Sequence, residues 1–250
     1  MLSGRFWVYP LASITCLLIV WHVTALFLDI RVLPDPMTVI RVLGKEVQSG
    51  RLPYHLGATL TRLTISFIIA MLLGIAIGIA LGRREKLDRF FDQWLIIFLN
   101  IPALVTIILC YVWFGLVETA AIAAVVINKL PNVVVTIREG TRALDRDLFE
   151  MAQSYRFSWI KTVRHVILPQ LYPFIVAAAR SGLALIWKIV LVVELLGRSD
   201  GMGYQLHLFF QMFDVAGILA YTIAFILVIQ TIEFIVLKPF DRFSTRWRRL

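Results

Sequence analysis

The residues able to do chemistry in this chain are charges set in apolar surroundings. Lys188 follows Trp187 inside the run Leu171 to Leu196, with Glu194 six residues on, and Asn128 and Lys129 precede Pro131 inside the run Ala120 to Ile137. A charge at the centre of a bilayer costs about 2.5–3.5 kcal/mol on insertion scales, so it faces a protein interior or a water-filled cavity. An ammonium lining a cavity attracts an anion such as a sulfonate or a carboxylate. The alternative for Lys188 is an intramembrane ion pair or a structural anchor. Six residues turn a helix by about 240° net, so Lys188 and Glu194 do not share a face and need separate partners. Lys129 is too far from the end of its run for simple snorkelling, which points Asn128 and Lys129 toward a cavity.

Bond-making chemistry finds no starting point. The chain has no H-E-x-x-H and no G-x-S-x-G, and His22, His55, His165 and His207 fall in different segments. Cys16 and Cys110 lie in apolar runs without metal-ligand spacing, so neither a disulfide framework nor a metal site is expected. No G-x-x-x-x-G-K-[ST] occurs, so the chain does not cradle a nucleotide phosphate by that device. If it works against a gradient, another subunit supplies the energy.

The elements that position these charges are membrane spans. Of the 250 residues, 60% are hydrophobic and 16% charged, and the mean hydropathy is +0.83, far from the roughly 25% charged of soluble domains. A span needs about 20 mostly apolar residues. Six runs qualify: Phe6 to Leu28, Leu60 to Leu81, Trp94 to Phe114, Ala120 to Ile137, Leu171 to Leu196 and Val215 to Leu237. The first is too long for a signal segment and is read as a retained span.

Lysine and arginine set the orientation. With the N-terminus inside, most of the 25 basic residues gather on the cytoplasmic side: Arg5; Arg83, Arg84, Lys86 and Arg89; Arg138, Arg142, Arg146, Arg156, Lys161 and Arg164; and Lys238, Arg242, Arg246, Arg248 and Arg249. Both termini are therefore expected in the cytoplasm. The net charge of +9 reflects this topology and attraction to anionic membrane lipid. A nucleic-acid role is excluded, because the basic residues are divided among loops without an aromatic-interleaved patch.

Between the fourth and fifth runs lies a charged, amphipathic segment, EMAQSYRFSWIKTVRHVILP, from Glu150 to Pro169. Asp147 and Glu150 have capping-box spacing. Leu148, Phe149, Ala152 and Tyr155 then fall mainly on one helical face. Ser158 is placed to cap a second short helix, and Pro169 to stop it. Two short helices on one face of a membrane protein offer that face to a partner, the alternative being a helix lying on lipid headgroups.

At these residues the chain resembles type I ABC importer permeases. In their EAA loop a Glu-Ala-Ala opening is followed by a glycine, an aliphatic residue and a Leu-Pro pair. Glu150 and Ala152 match the opening with Met151 replacing the first alanine, Val166, Leu168 and Pro169 match downstream, and Arg156 occupies the glycine position. Arg156 closes the turn with strain, lengthens the first helix, or adds a charge contact to a partner. The resemblance extends over roughly Gly57 to Phe240. It includes NIPALVTIILCYVWFG and the run from Val193 and Glu194 through Gly197 to Gly201, Gly203 and Tyr204, which is similar to the nitrate, sulfonate, taurine and bicarbonate branch.

The resemblance implies an all-α membrane fold of six transmembrane helices, the MetI-like transmembrane domain, with cytoplasmic coupling helices. It implies a permease without catalysis of its own in a bacterial inner membrane, and a second permease copy, a homodimer being expected. Two ATP-binding subunits that use ATP and Mg, and a periplasmic or lipid-anchored solute-binding protein, complete the expected assembly. No cofactor is expected on this chain. Residues 1–55 are expected as an accessory span and extracytoplasmic segment packing outside the core, 56–240 as the permease core and 241–250 as a basic tail. The runner-up is a self-contained secondary carrier or channel using Lys188 and Glu194 as coupling charges, against which stands the lack of a detectable inverted repeat.

Three local features complete the expectations. Gly74, Gly78 and Gly82 at spacing four form a small-residue ridge for close helix approach. Pro102 kinks the third span, with Asn100 positioned to satisfy a freed backbone group. Pro34, Asp35 and Pro36 form a rigid turn before an amphipathic stretch, and Tyr204 to Phe213 suits an interfacial helix that anchors, gates or docks a binding protein.

Overall fold

Helix forms wherever the apolar runs meet no breaker. The computed structural model describes residues 8–28 and 32–237, and every regular element among them is helical. The calls on Arg5, Lys238 and the residues 241–250 fall outside the described residues. α1 (Val8–Phe27) is apolar all round and largely exposed; Trp21 Nε1 donates to the Pro34 carbonyl at 3.1 Å. α2 (Pro36–Gln48) opens as its residues dictate. Pro36 occupies the first turn, where its missing N–H is no loss, and the Asp35 carboxylate accepts from Thr38 N. Hydrogen bonding to Thr38 holds the Asp35 carboxyl below its ordinary range. Glu46 of α2 is buried, accepting from Tyr221 Oη at 3.0 Å and pairing with Arg51 at 2.5 Å.

α3 (Arg51–Arg83), α4 (Glu85–Asn100), α5 (Ala103–Phe114) and α6 (Glu118–Arg142) follow. α3 and α6 form the centre of the bundle, and the glycine ridge sets their distance. A Cβ on Gly74 would lie 2.5 Å from Val133 Cγ1, on Gly78 2.7 Å from Ile137 Cβ, and on Gly82 2.5 Å from Thr141 Cβ. The partner advances four residues each time the glycine does, so the helices run parallel.

The third apolar run does not form one kinked span. α4 and α5 meet at 95°, because Ile101 and Pro102 are both extended and the Pro102 carbonyl starts a new helix by accepting from Val105 N and Thr106 N. Asn100 Nδ2 donates to the Ile96 carbonyl at 2.7 Å, one turn back on its own helix, and not to the Phe98 carbonyl that the missing N–H of Pro102 frees. Pro131, by contrast, leaves α6 unbroken, so the polar break expected at Asn128 and Lys129 is absent.

α7 (Arg146–Ser154) and α8 (Trp159–Thr162) make the amphipathic segment between the fourth and fifth apolar runs. A π-helical turn, Val163–Ile167, joins α8 to α9 (Leu168–Gly197). α10 (Met202–Gln211) is followed by α11 (Val215–Ile232), which ends in a second π turn. α9 packs on α6 through Gly140, whose Cβ would meet the Phe174 ring at 2.5 Å. α10 is only half interfacial: Met202, Gly203 and Phe209 are buried, with Phe209 edge-on to Tyr221 of α11 at 5.1 Å, while Phe210, Met212 and Phe213 stay exposed.

Four helices are long and apolar enough to cross a bilayer: Arg51–Arg83, Glu118–Arg142, Ile160–Gly197 and Val215–Ile235. The bent pair α4–α5 makes a fifth if taken as one span, and the apolar stretch Ala12–Phe27 is shorter than the rest. Among the described residues the spans number four, or five with the bent pair, so the six-span count is not matched exactly.

The ridge generates a prediction. Gly78→Ala places a Cβ against Ile137 and 2.9 Å from the Val134 carbonyl, and overpacking of this kind costs about 1–3 kcal/mol. Gly57 has nothing within 4 Å of its would-be Cβ, so Gly57→Ala is neutral or stabilises by about 0.5–1 kcal/mol through helix propensity. Denaturant unfolding of the two variants in the same detergent measures the difference.

Candidate functional site

The α7–α8 segment is built from its caps. Asp145, not Asp147, is the N-cap of α7: its Oδ1 accepts from Asp147 N at 2.9 Å. Asp147 falls in the first turn, where its charge complements the helix dipole. The capping box is therefore not formed, and Glu150 stays exposed.

The far end of α7 resolves the question left at Arg156. Arg156 takes φ +50°, its N–H bonds the Gln153 carbonyl at 2.9 Å, and Phe157 N bonds the Ala152 carbonyl at 2.9 Å. This is a Schellman turn with arginine in the left-handed position usually given to glycine. Arg156 closes the turn with strain, about 1–2 kcal/mol for a residue with a Cβ.

Ser158 then caps α8, its Oγ accepting from Lys161 N at 3.4 Å. Pro169 does not stop this helix. It sits in the first turn of α9, and the preceding turn widens so that Leu168 N reaches back five residues to the Val163 carbonyl. Gln170 secures the join, donating to the Val166 carbonyl at 3.0 Å and accepting from Asp145 N at 2.9 Å.

Ala152 is buried, whereas Met151 and Leu168 are exposed, and Tyr155 and Ile160 are 73% and 77% exposed. Underneath, the Arg83 guanidinium lies 5.3 Å from the Phe149 ring centroid, beside a cavity of about 400 Å³ lined by Gly82, Arg83, Thr141, Arg142, Leu144 and Phe149. The segment is thus a seated helical knob whose outward surface mixes apolar residues with acids at Asp147 and Glu150 and bases at Arg156, Lys161 and Arg164.

The intramembrane candidates separate. Lys188 is exposed on α9, with its Nζ 5.4 Å from the Trp187 ring centroid, and shares its exposed face with Ala177, Ser181 and Ala184. Trp187 itself packs against Phe225 of α11 at 5.5 Å, which removes it from that face. Asn128 is partly buried and donates to the Ala124 carbonyl at 2.8 Å. Lys129 is 2% exposed, with its Cε against Gly182 of α9, and its Nζ has no hydrogen-bond partner among the described residues.

Glu194 is 0% exposed, held in a charge clamp at the end of the bundle where α6 begins and α9 ends. Its Oε1 takes Arg62 Nη1 at 2.8 Å, and its Oε2 takes Thr59 Oγ1 at 2.8 Å and Gly203 N at 2.9 Å. Arg62 also binds Glu118 through Nε at 2.7 Å and Nη2 at 3.0 Å, the Asp200 carbonyl at 3.0 Å and the Asp200 carboxylate. Arg198 adds a 2.9 Å pair to Glu118. Gly201 at φ +110° lies directly on the Glu194 carboxyl, so no side chain fits there.

Sequence reasoning missed Arg62, Glu118, Asp200, Thr59 and His55. The signal available was spacing: His55, Thr59 and Arg62 stand at i, i+4 and i+7 and share a helix face, opposite a turn of glycines and acids. Among the described residues no three His, Cys, Asp or Glu are grouped as metal ligands.

Comparison with known proteins places this arrangement. The family model described as the binding-protein-dependent transport system inner membrane component matches residues 70–249. SsuC of Bacillus subtilis, named as a candidate aliphatic sulfonates transport permease, is 31% identical over 175 residues, 70% of this chain and 63% of that protein, so the match spans less than two thirds of it. The taurine transport system permease protein TauC of Escherichia coli is 27% identical over 256 residues, covering 96% of this chain and 93% of its own. The MetNI methionine ABC transporter in inward-facing conformations shares the fold, with a TM-score of 0.68 at 18% identity over 80% of this chain and 98% of that one. With a family model covering most of its length and this fold, the chain belongs to the inner-membrane components of binding-protein-dependent transport systems.

Proposed function

We propose that this chain is the transmembrane subunit of an ATP-driven importer that moves a small anion, of the sulfonate, taurine or nitrate kind, into the cytoplasm by alternating access. The observation that carries the reading is the α7–α8 knob, an outward-facing helical pair at the positions of the family's coupling loop. Two ATPase subunits, using ATP and Mg, grip it at Glu150, Met151, Ala152, Arg156, Leu168 and Pro169. The chain itself carries out no catalysis. A solute-binding protein delivers substrate from outside, and both termini lie in the cytoplasm of a bacterial cell.

The path is assigned to the exposed face of α9 in a pair of permease copies, with Lys188 as its charge. Small side chains at Ala177, Ser181 and Ala184 leave room beside it, and a cation exposed on a span is favoured only where water or an anion meets it. Lys129, hidden beside Gly182, is a second cation available to that face when α6 and α9 shift. The secondary-carrier reading loses one of its two coupling charges, because Glu194 is consumed by Arg62, Thr59 and Gly203.

Two experiments test this. In liposomes holding the permease, its ATPase and its binding protein, wild-type uptake of an aliphatic sulfonate requires ATP. Glu150→Lys, a reversed charge on an exposed residue, abolishes uptake while leaving yield and unfolding unchanged. Lys188→Ala lowers uptake of the anion about tenfold, the worth of one desolvated charge contact, and spares any neutral solute carried; uptake indifferent to ATP sinks the reading. Separately, Arg156→Gly relieves the left-handed strain and raises the unfolding free energy by about 1 kcal/mol, measured by denaturant titration, with uptake retained. A loss of uptake in that variant assigns the arginine to a charge contact with the ATPase.

A further inference from the structure

Among the buried titratable groups that the mechanism proposed above does not use is a histidine. His55 of α3 is 7% exposed at the edge of the charge clamp. Gly201 N donates to its Nδ1 at 3.1 Å. A backbone N–H carries one proton and only donates, so Nδ1 here is the bare acceptor nitrogen and the proton of the neutral ring is on Nε2. The Gln205 amide lies 2.7 Å from Nε2 and meets that proton with its oxygen, the amide orientation being interchangeable.

This bond is one of three that hold successive backbone N–H groups of a single turn. Gly201 goes to His55 Nδ1, Met202 to Thr59 Oγ1 at 2.8 Å and Gly203 to Glu194 Oε2 at 2.9 Å. Together they press the turn onto the Glu194 carboxyl and seat the start of α10. A second proton on His55 would sit on Nδ1 and face the Gly201 N–H, donor against donor, so the bond would be lost and the N–H stranded. Of the three acceptors, only the imidazole has an ordinary titration range that reaches neutral pH.

The charges around the ring are named from each side. They are Asp200 of the turn, Glu46 of α2 and Arg51 on its own helix. Glu46 is itself engaged by Arg51 and Tyr221 of α11, and Asp200 by Arg62. Tyr54 and Tyr204 flank the ring at 5.0 and 6.0 Å.

We infer that His55 is a proton-operated latch on the outer face of the permease: unprotonated, it holds the Gly201 turn closed over Glu194, and a proton taken from the outside releases that turn and slows transport. The direction of the effect on uptake rests on the importer reading and its orientation; the release of the turn does not.

The test compares wild type with His55→Asn, whose Oδ1 stands where Nδ1 stands and takes no proton. With ATP, the ATPase and lumen buffer held at about pH 7.5 and the outer pH stepped from about 7.5 to about 5.5, across the ordinary histidine range, wild-type uptake falls about tenfold and recovers on return, while the variant's relative profile is flatter. A shared binding protein cancels its own pH response in the comparison. In parallel, hydrogen exchange over residues 198–211 in lipid nanodiscs, corrected for intrinsic rates, shows wild type losing protection at the lower pH and His55→Asn keeping it. If His55→Asn fails to insert, the wild type decides alone: protection over residues 198–211 that is unchanged between the two pH values overturns the latch. Identical exchange in wild type and variant at both pH values overturns the latch. Absence of ATP-dependent uptake at pH 7.5 overturns the importer reading instead, and leaves the exchange result to decide the latch.

Discussion

A guanidinium held deep at the end of a membrane helix must be met by anions, and Arg62 collects them from three elements at once. Its flat fork of donors takes Glu118 from the start of α6, Glu194 from the end of α9 and Asp200 from the turn beyond. Each acid is thereby fixed to α3, and with it the helix or turn that carries it. Removing one partner from a buried, satisfied network of this kind costs about 3–5 kcal/mol, because the others are left uncompensated. The glycines at 197, 201 and 203 follow from the same constraint: side chains there would strike Tyr111, Glu194 and the Leu191 carbonyl.

The other end of the bundle repeats the principle with the signs exchanged between elements. Arg138 of α6 binds Asp88 at 3.1 Å and Asp92 at 2.7 Å on α4, and Arg142 also reaches Asp88. α6 thus presents an acid at its N-terminus and two arginines near its C-terminus, the arrangement its dipole favours. Anchored by charge at both ends and packed on glycines between them, it is the member around which the others are arranged.

How much of this was legible depends on the reach of the interaction. The ridge at Gly74, Gly78 and Gly82 and the Ser158 cap are local, set by spacing of four residues or fewer, and the structure has both. Glu194 and Arg62 are 132 residues apart in the chain, so Glu194 alone reads as a stray charge in a span. Prolines were ambiguous for a physical reason. The same missing N–H breaks the chain at Pro102, is absorbed by α6 at Pro131 and is accommodated by a widened turn before Pro169, and only the surrounding packing decides which. At Arg156 the glycine position predicted a turn but not its conformation, since a left-handed arginine is unfavourable in isolation and is held by the hydrogen bonds of the Schellman turn.

The widened turn before Pro169 has a mechanical consequence. Because the helix is not stopped there, Ile160–Gly197 is a single stretch of 38 residues, about 57 Å long at the helical rise. The widened turn, Pro169 and Pro173 all lie near the Ile160 end, where a helix bends most readily, and from Phe174 to Gly197 no proline or widened turn interrupts it. A tilt of about 5° of that stretch moves its far end by about 3 Å at the helical rise, against a clamp built from bonds of 2.8–2.9 Å. The chain therefore has a long lever whose load is a cluster of charges, and small rotations on one side of the membrane are sufficient to strain hydrogen bonds on the other.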